Sequence, residues 1–450
     1  MKKILVHLVL IATFISVNTV QNHPIDNILP NPIFQYKLPN DLNVVTVPFN
    51  SPGIAAFIIV VRTGSRNEVE EGVTGFAHFF EHMMFRGTDN YSKEQYDEVL
   101  KSIGATSNAY TSNDRTVYHI VGNANKLELM FEIESDRFQN LNYSEHDFKT
   151  EAGAVKGEYT KNRASPHGQL GEKIKEAAFV KHTYKHTTMG FYEDVVDMPN
   201  QYDYSLKFFK RFYKPEYCTI IVTGDVNPDK VNSLTEKYFG KWERGNYTPD
   251  IPLEPQQNEK RYVHLQNASV PPYLSLNYKG PAFSDMDIDI PVLKVISSLL
   301  FSKRSELYRK LIVNENKVRN IYGYIPTSRD PDLIGINVSV VKRKDLQYVK
   351  DEIIKAIEII KSSPLDDKLI KEAISNSKYR FAMRIDNPGT IAHTLAHYTS
   401  LTGDPESLNK YFSLFDNITK EDIIRIANKY FVDEGLTIAT ISSEKSEKLN

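Results

Sequence analysis

Two histidines and a glutamate within five residues, His78-Phe79-Phe80-Glu81-His82, are the groups in this sequence best suited to chemistry. Residues four apart on a helix lie on one face, about one turn from each other, so the two imidazoles can grip a single metal ion. Glu81 stands one residue before the second histidine and projects toward the same face. A carboxylate there can take a proton from water. The order His-x-x-Glu-His is the inverse of the His-Glu-x-x-His order common in zinc peptidases. These residues alone predict hydrolysis assisted by Zn2+, with a peptide as the substrate class.

A catalytic zinc takes three protein ligands and keeps a fourth position open. His78 and His82 supply two, and a carboxylate or histidine from elsewhere must supply the third. Glu132, Glu134, Asp147, Glu151 and Glu158 are all candidates. Glu151 and Glu158 are seven apart on an expected helix, hence on one face and about 10 Å from each other. That distance is too long for both to bind one ion. One is expected to ligate while the other supports the site from outside.

The elements that must position these groups can be read from periodicity and caps. Residues 42–47 and 54–62 are rich in β-branched side chains and predict strands. A helix over 73–85 carries the motif. Ser92 and Gln95 form a capping-box signal for a helix that Gly104 ends. Strands are expected over 105–110 and 116–122, and helices over 126–139 and from Ser144 to about 161. Between Trp242 and Arg261, prolines 249, 252 and 255 fall among Gly, Asn and Gln. This predicts a linker, 246–262, between an N-terminal domain, 23–245, and a C-terminal domain, 263–450.

The second half reads as a weak copy of the first. The helix-to-strand step from 208–213 into 218–223 recurs from 423–431 into 436–441, an offset of about 216 to 218 residues. The expected fold is α+β: two homologous domains, each a mostly antiparallel sheet packed with helices, enclosing a cleft. Shifting the motif by about 216 lands on Lys294, Ser297 and Ser298, none of which replaces a zinc ligand or a carboxylate base. Only the first domain is expected to bind metal.

Hydrophobic residues make up 41% of the 450, enough for large cores. A formal net charge of -2 gives no sign of a nucleic-acid surface. Lys2 and Lys3 precede an apolar run over 4–17, which reads as a signal peptide, 1–22, too short for a membrane span. The mature protein is therefore expected in a periplasm or secreted, with no stable membrane span. Cys218 is the single cysteine. No internal disulfide can form, and its strand-like surroundings predict a core thiol. His182 with His186 and His393 with His397 repeat the four-residue spacing without a neighbouring carboxylate. They predict a loop and a packed helix respectively, not further metal sites.

The spacing from His82 to Glu151 and Glu158 makes the pattern specific. The chain resembles the pitrilysin/insulinase family of zinc peptidases, and within it the processing-peptidase-like branch of chains of similar length. In that family the motif is followed, after about 75 residues, by a glutamate ligand, with a second glutamate seven residues before it; Glu158 and Glu151 stand at those places. The resemblance implies His78, His82 and Glu158 as ligands, Glu81 as the catalytic base and Glu151 as a supporting carboxylate. Asn108-Ala109-Tyr110-Thr111 resembles the family's substrate-edge strand, which implies peptide added as an extra strand along Asn108, Ala109 and Tyr110. His186-Thr187-Thr188-Met189-Gly190 with Glu193-Asp194-Val195 resembles another family stretch. One departure stands out. Active members carry an arginine and, seven residues on, a tyrosine in the second half, where this chain has Ile312 and Arg319. The resemblance then implies a heterodimer whose homologous partner supplies the missing Arg/Tyr pair. The function implied is a zinc-dependent endopeptidase acting on extended peptides or unfolded segments outside the cytoplasm. The competing expectation is a non-catalytic peptide-binding or scaffold subunit of the same fold.

Overall fold

The computed structural model describes residues 27–363 and 366–449; the expected signal peptide lies outside the described residues. Six strands form the first sheet: β1 (Phe34–Lys37), β2 (Asn43–Pro48), β3 (Ile54–Val61), β4 (Thr106–Thr111), β5 (Thr116–Asn123) and β6 (Cys218–Gly224). Their order is β1-β2-β6-β3-β5-β4, with β2 and β6 parallel and the other pairs antiparallel. Five strands form the second: β7 (Arg261–Gln266), β8 (Tyr273–Lys279), β9 (Val318–Tyr324), β10 (Leu333–Val340) and β11 (Leu436–Ser442), in the order β7-β11-β8-β10-β9. In both sheets the last strand of the half inserts between earlier ones, parallel to one neighbour and antiparallel to the other. The shared topology is what a duplication leaves behind.

Why β3 is apolar along its whole length follows from its two faces. Phe57 and Ile59 pack in one core with Phe76, Phe79 and Phe80 of helix α1 (Phe76–Met83). Ile58 and Val60 point the other way, into a core shared with Ile391, Ala392 and Leu395. Those three belong to a helix of the second half, Pro388–Thr402, which lies across β3 and β6 of the first sheet. The exchange is reciprocal. Of the remaining first-half helices, α2 (Lys93–Ser102) and α3 (Leu127–Asn140) pack on their own sheet and α4 (Glu145–Arg163) on α1, whereas α5 (Pro166–Ala178) packs on β7 and β11 of the second. Each half thus covers a sheet face that the other leaves open.

Two expectations need revision. The motif helix is shorter than 73–85, because Gly75 adopts a left-handed φ of 94° and starts it. A Cβ there would lie 2.6 Å from the Met189 carbonyl oxygen, so the close approach as well as the φ requires glycine. The stretch 246–262 is not a free tether. Glu254 accepts backbone N–H groups of Val180, Lys181 and His182 at 2.8–3.0 Å, Gln257 is buried, and Arg261 and Tyr262 already belong to β7.

Candidate metal centre

Helix α1 has no side chain at its own start to satisfy its first N–H groups. Glu68 does so from seven residues upstream, accepting Gly75 N–H at 2.8 Å and Ala77 N–H at 2.7 Å. Burial pushes the Glu68 carboxyl up to about 8 despite these bonds. Thr74 is held by Asp194, through its amide at 3.1 Å and its hydroxyl at 2.7 Å, and itself accepts the Phe191 N–H at 2.7 Å. The stretch 186–194 therefore clamps the entry to α1. His186 sits in that clamp, buried, 3.8 Å from Glu68.

Helix α1 presents His78 and His82 toward α4, which begins at Ser144 as expected, in a capping box with Asp147, and carries Glu151 and Glu158. The Glu158 Oε2 lies 3.7 Å from His78 Nε2 and 3.4 Å from His82 Nε2. With bonds of about 2.1 Å, the edge of a zinc tetrahedron is about 3.4 Å. The three atoms are spaced as ligands around a shared cation. Among the described residues they form the only His/Cys/Asp/Glu group of three with ligand atoms all within 4.8 Å of one another.

The surroundings prepare these atoms. Glu151 contacts His82 Nδ1 at 2.9 Å, which leaves the Nε2 lone pair free to face Glu158. That hydrogen bond raises the His82 pKa above its ordinary value. Burial acts on Glu151 in the opposite sense, yet His82 and Arg86 hold its carboxyl below the usual range. Burial, and then the neighbouring His82, bring His78 down to about 4, so its imidazole is neutral and available at ordinary pH. Glu81 points to the same region from the next turn and accepts a 2.6 Å hydrogen bond from the Thr111 hydroxyl. Burial raises its pKa, with Thr111 opposing.

Asn108, Ala109 and Tyr110 lie on β4, the edge strand of the first sheet, and Thr111 ends that strand beside Glu81. The Ala109 N–H is turned to its own neighbour, the Asn108 Oδ1, at 2.9 Å. The other candidate carboxylates are engaged elsewhere: Glu132 with Tyr91, Glu134 with Arg137 and Tyr96, and Asp147 with Ser144. His182 contacts Asp330 at 2.9 Å, His397 contacts the Thr327 hydroxyl at 2.7 Å, and His393 meets His119 ring to ring. Two residues at the site were not singled out from sequence, Arg86 and Glu68, and Thr111 was named only as part of the edge-strand stretch. Arg86, four residues after His82, offered a signal in its helical spacing. Glu68 offered none, because caps are expected adjacent to the helix.

Known proteins resemble the chain throughout both halves. The sequence profile described as Insulinase (Peptidase family M16) matches residues 44–191, and that described as Peptidase M16 inactive domain matches 201–377. The chain belongs to this family of zinc metallopeptidases, the insulinase or pitrilysin group. It is 28% identical over 409 residues to the zinc protease PqqE of Helicobacter pylori, covering 88% of this chain and 89% of that one. The beta subunit of the mitochondrial-processing peptidase of Saccharomyces cerevisiae is 23% identical over 437 residues, covering 92% and 94%. Among solved structures, a protease from Helicobacter pylori matches with a TM-score of 0.85 at 28% identity, over 92% of this chain and 99% of that one. An M16-like peptidase from Alicyclobacillus acidocaldarius has the same fold, with a TM-score of 0.79 at 17% identity over 92% and 98%.

Proposed function

We propose that the chain is a zinc-dependent endopeptidase for extended peptides, exported from the cytoplasm and acting as the catalytic subunit of a pair. The observation that carries this reading is the convergence of His78 Nε2, His82 Nε2 and Glu158 Oε2 at tetrahedral-edge distances, with Glu81 beside them. These three residues would hold the zinc. Such an ion supplies Lewis acidity, making a water easier to deprotonate and a carbonyl easier to attack. Glu81 takes the proton as the water oxygen bonds to the carbonyl carbon, then gives it to the nitrogen as the C–N bond breaks. Its raised pKa makes it a better base than an exposed glutamate. Glu151 acts through His82, fixing the tautomer and ring orientation.

Substrate adds to the open edge of β4, where main-chain pairing reads extended backbone more than side chains. A peptide carbonyl there replaces Asn108 Oδ1 as the acceptor for the Ala109 N–H. The partner is inferred from the second half: Ile312 and Arg319 occupy the places of the family's Arg/Tyr pair. A pure single chain cleaving peptides at full rate would remove the need for that partner. Export rests on the N-terminal sequence; among the described residues no helix is long and apolar enough to cross a membrane.

The test is paired. The purified protein should hold one zinc per chain and cleave unfolded peptides with its partner present, and Glu81→Gln should keep the zinc and lose cleavage. A protein that binds peptides equally well without metal and never cuts them would instead be a scaffold subunit.

A further inference from the structure

The offset that carries the zinc motif onto Lys294, Ser297 and Ser298 has a structural counterpart. These residues lie on the helix Asp289–Phe301, which packs against the helix Asp367–Ala382 and the edge strand β9. The arrangement repeats that of α1, α4 and the edge strand β4 around the metal centre. Lys294, Ser297 and Ser298 line a pocket there, together with Arg380 and Arg384.

The charge of this second pocket is the reverse of the first. The metal centre gathers Glu81, Glu151 and Glu158. The second pocket has three cations and no acidic residue in its lining. Lys294, Arg380 and Arg384 make no ion pair with any described residue. The Lys294 ammonium lies 5.1 Å from the Tyr411 ring and within electrostatic reach of the His397 imidazole, neither of which is a counter-ion. Burial alone brings it down to about 8, as expected of a lysine taken from water without a counter-ion. A desolvated, unpaired cation is costly, and side-chain charges of this kind are normally paired. Hydroxyls of Ser297 and Ser298 offer further donors beside it.

We propose that this pocket binds the carboxylate of a peptide, in a site separate from the metal centre. Lys294 holds the carboxylate from inside, and Arg380 and Arg384 hold it from the rim, where a guanidinium can present two N–H groups to one carboxylate. The choice of a peptide carboxylate rests on the endopeptidase reading, since every cleavage creates a new C-terminal carboxylate. An acidic side chain carries the same group.

The test separates binding from turnover by using the full chain with Glu81→Gln. Fluorescence anisotropy is read with one labelled peptide in four forms: two glutamates or two glutamines, each with a free or an amidated C-terminus. Charge-assisted hydrogen bonds of this kind predict at least about tenfold tighter binding of the form bearing the recognised carboxylate. Preference for the free acid would identify the C-terminal group, and preference for glutamate the side chain. The double variant Arg380→Ala/Arg384→Ala removes exposed side chains and should abolish the preference, while leaving zinc content and the affinity of the amidated glutamine peptide unchanged. Lys294→Met should do the same if it folds; the arginine pair carries the test if it does not. Equal binding of all four peptides, or a preference that survives the arginine substitutions, would overturn the proposal. A failure to cleave would count against the endopeptidase reading and leave this result untouched.

Discussion

Glu151 touches the proposed metal ligands through His82, so its replacement isolates what orientation contributes. In Glu151→Ala, the His82 Nδ1 loses its 2.9 Å partner and the imidazole can turn or change tautomer. Loss of such a support costs about 10–100-fold in metal affinity, or about 1.4–2.7 kcal/mol. The fold should survive. Glu151 also pairs with Arg86, but the Arg86 side chain is 32% exposed and can turn to water. The cost to the metal-free protein should therefore be about 1–2 kcal/mol, below the 3–5 typical of breaking a fully buried pair. Glu151→Gln separates charge from geometry. Its amide oxygen can still accept from Nδ1–H, so zinc affinity should fall less than about tenfold. Competition against a chromophoric chelator gives the affinities, and urea denaturation of the metal-free proteins gives the stabilities. A folded Glu151→Ala protein with zinc affinity within about twofold of the parent would refute the orienting role.

Three further outcomes follow from the same contacts. Glu68→Ala strips the acceptors from two buried N–H groups at the start of α1, costing about 2–4 kcal/mol in denaturant-measured stability; an unchanged midpoint would show that another group caps this helix. Asp330 binds Arg66 and His182 across the two halves, and these partners depress its pKa against the opposing effect of burial. A depressed carboxyl contributes stability that is full above its unfolded pKa and is lost as pH falls through the folded one, so Asp330→Asn should lose most at neutral pH and converge with the parent in strong acid; a constant difference from neutral to strongly acid pH would contradict this. Ala109→Pro removes an edge N–H that β5 does not use, so it should leave zinc content intact and lower kcat/KM for extended peptides at least about tenfold; unchanged kcat/KM would rule out β4 as the docking edge.

The sequence was most legible where one short pattern determines one element. The capping box at Ser92 and the cap at Ser144 start helices at Lys93 and Glu145 as expected, and β3 and β5 fall within a residue or two of their expected bounds. The offset between the halves predicted a shared topology, which the inserted strands β6 and β11 display. Two edge strands were not legible: β1 alternates but is only 4 residues long, and β7 alternates only partly and draws its definition from β11, distant in sequence. The exchange of α5 and Pro388–Thr402 between the sheets was equally hidden, because an apolar helix face does not say which sheet it will cover. At the metal centre, the helical spacing of His78, Glu81 and His82 was readable directly. The closeness of Glu158 to both imidazoles depends on how α4 packs against α1, which local sequence does not encode.

The central claim is that one zinc ion sits between two imidazoles and a single carboxylate, leaving a position open for water. A crystal structure of the zinc-loaded Glu81→Gln protein, with diffraction recorded on both sides of the zinc absorption edge, tests it most directly. The account predicts one strong anomalous peak about 2.0–2.2 Å from His78 Nε2, His82 Nε2 and a Glu158 carboxylate oxygen. A peak elsewhere in the chain, or one at the imidazoles with the Glu158 carboxylate turned away, would contradict it.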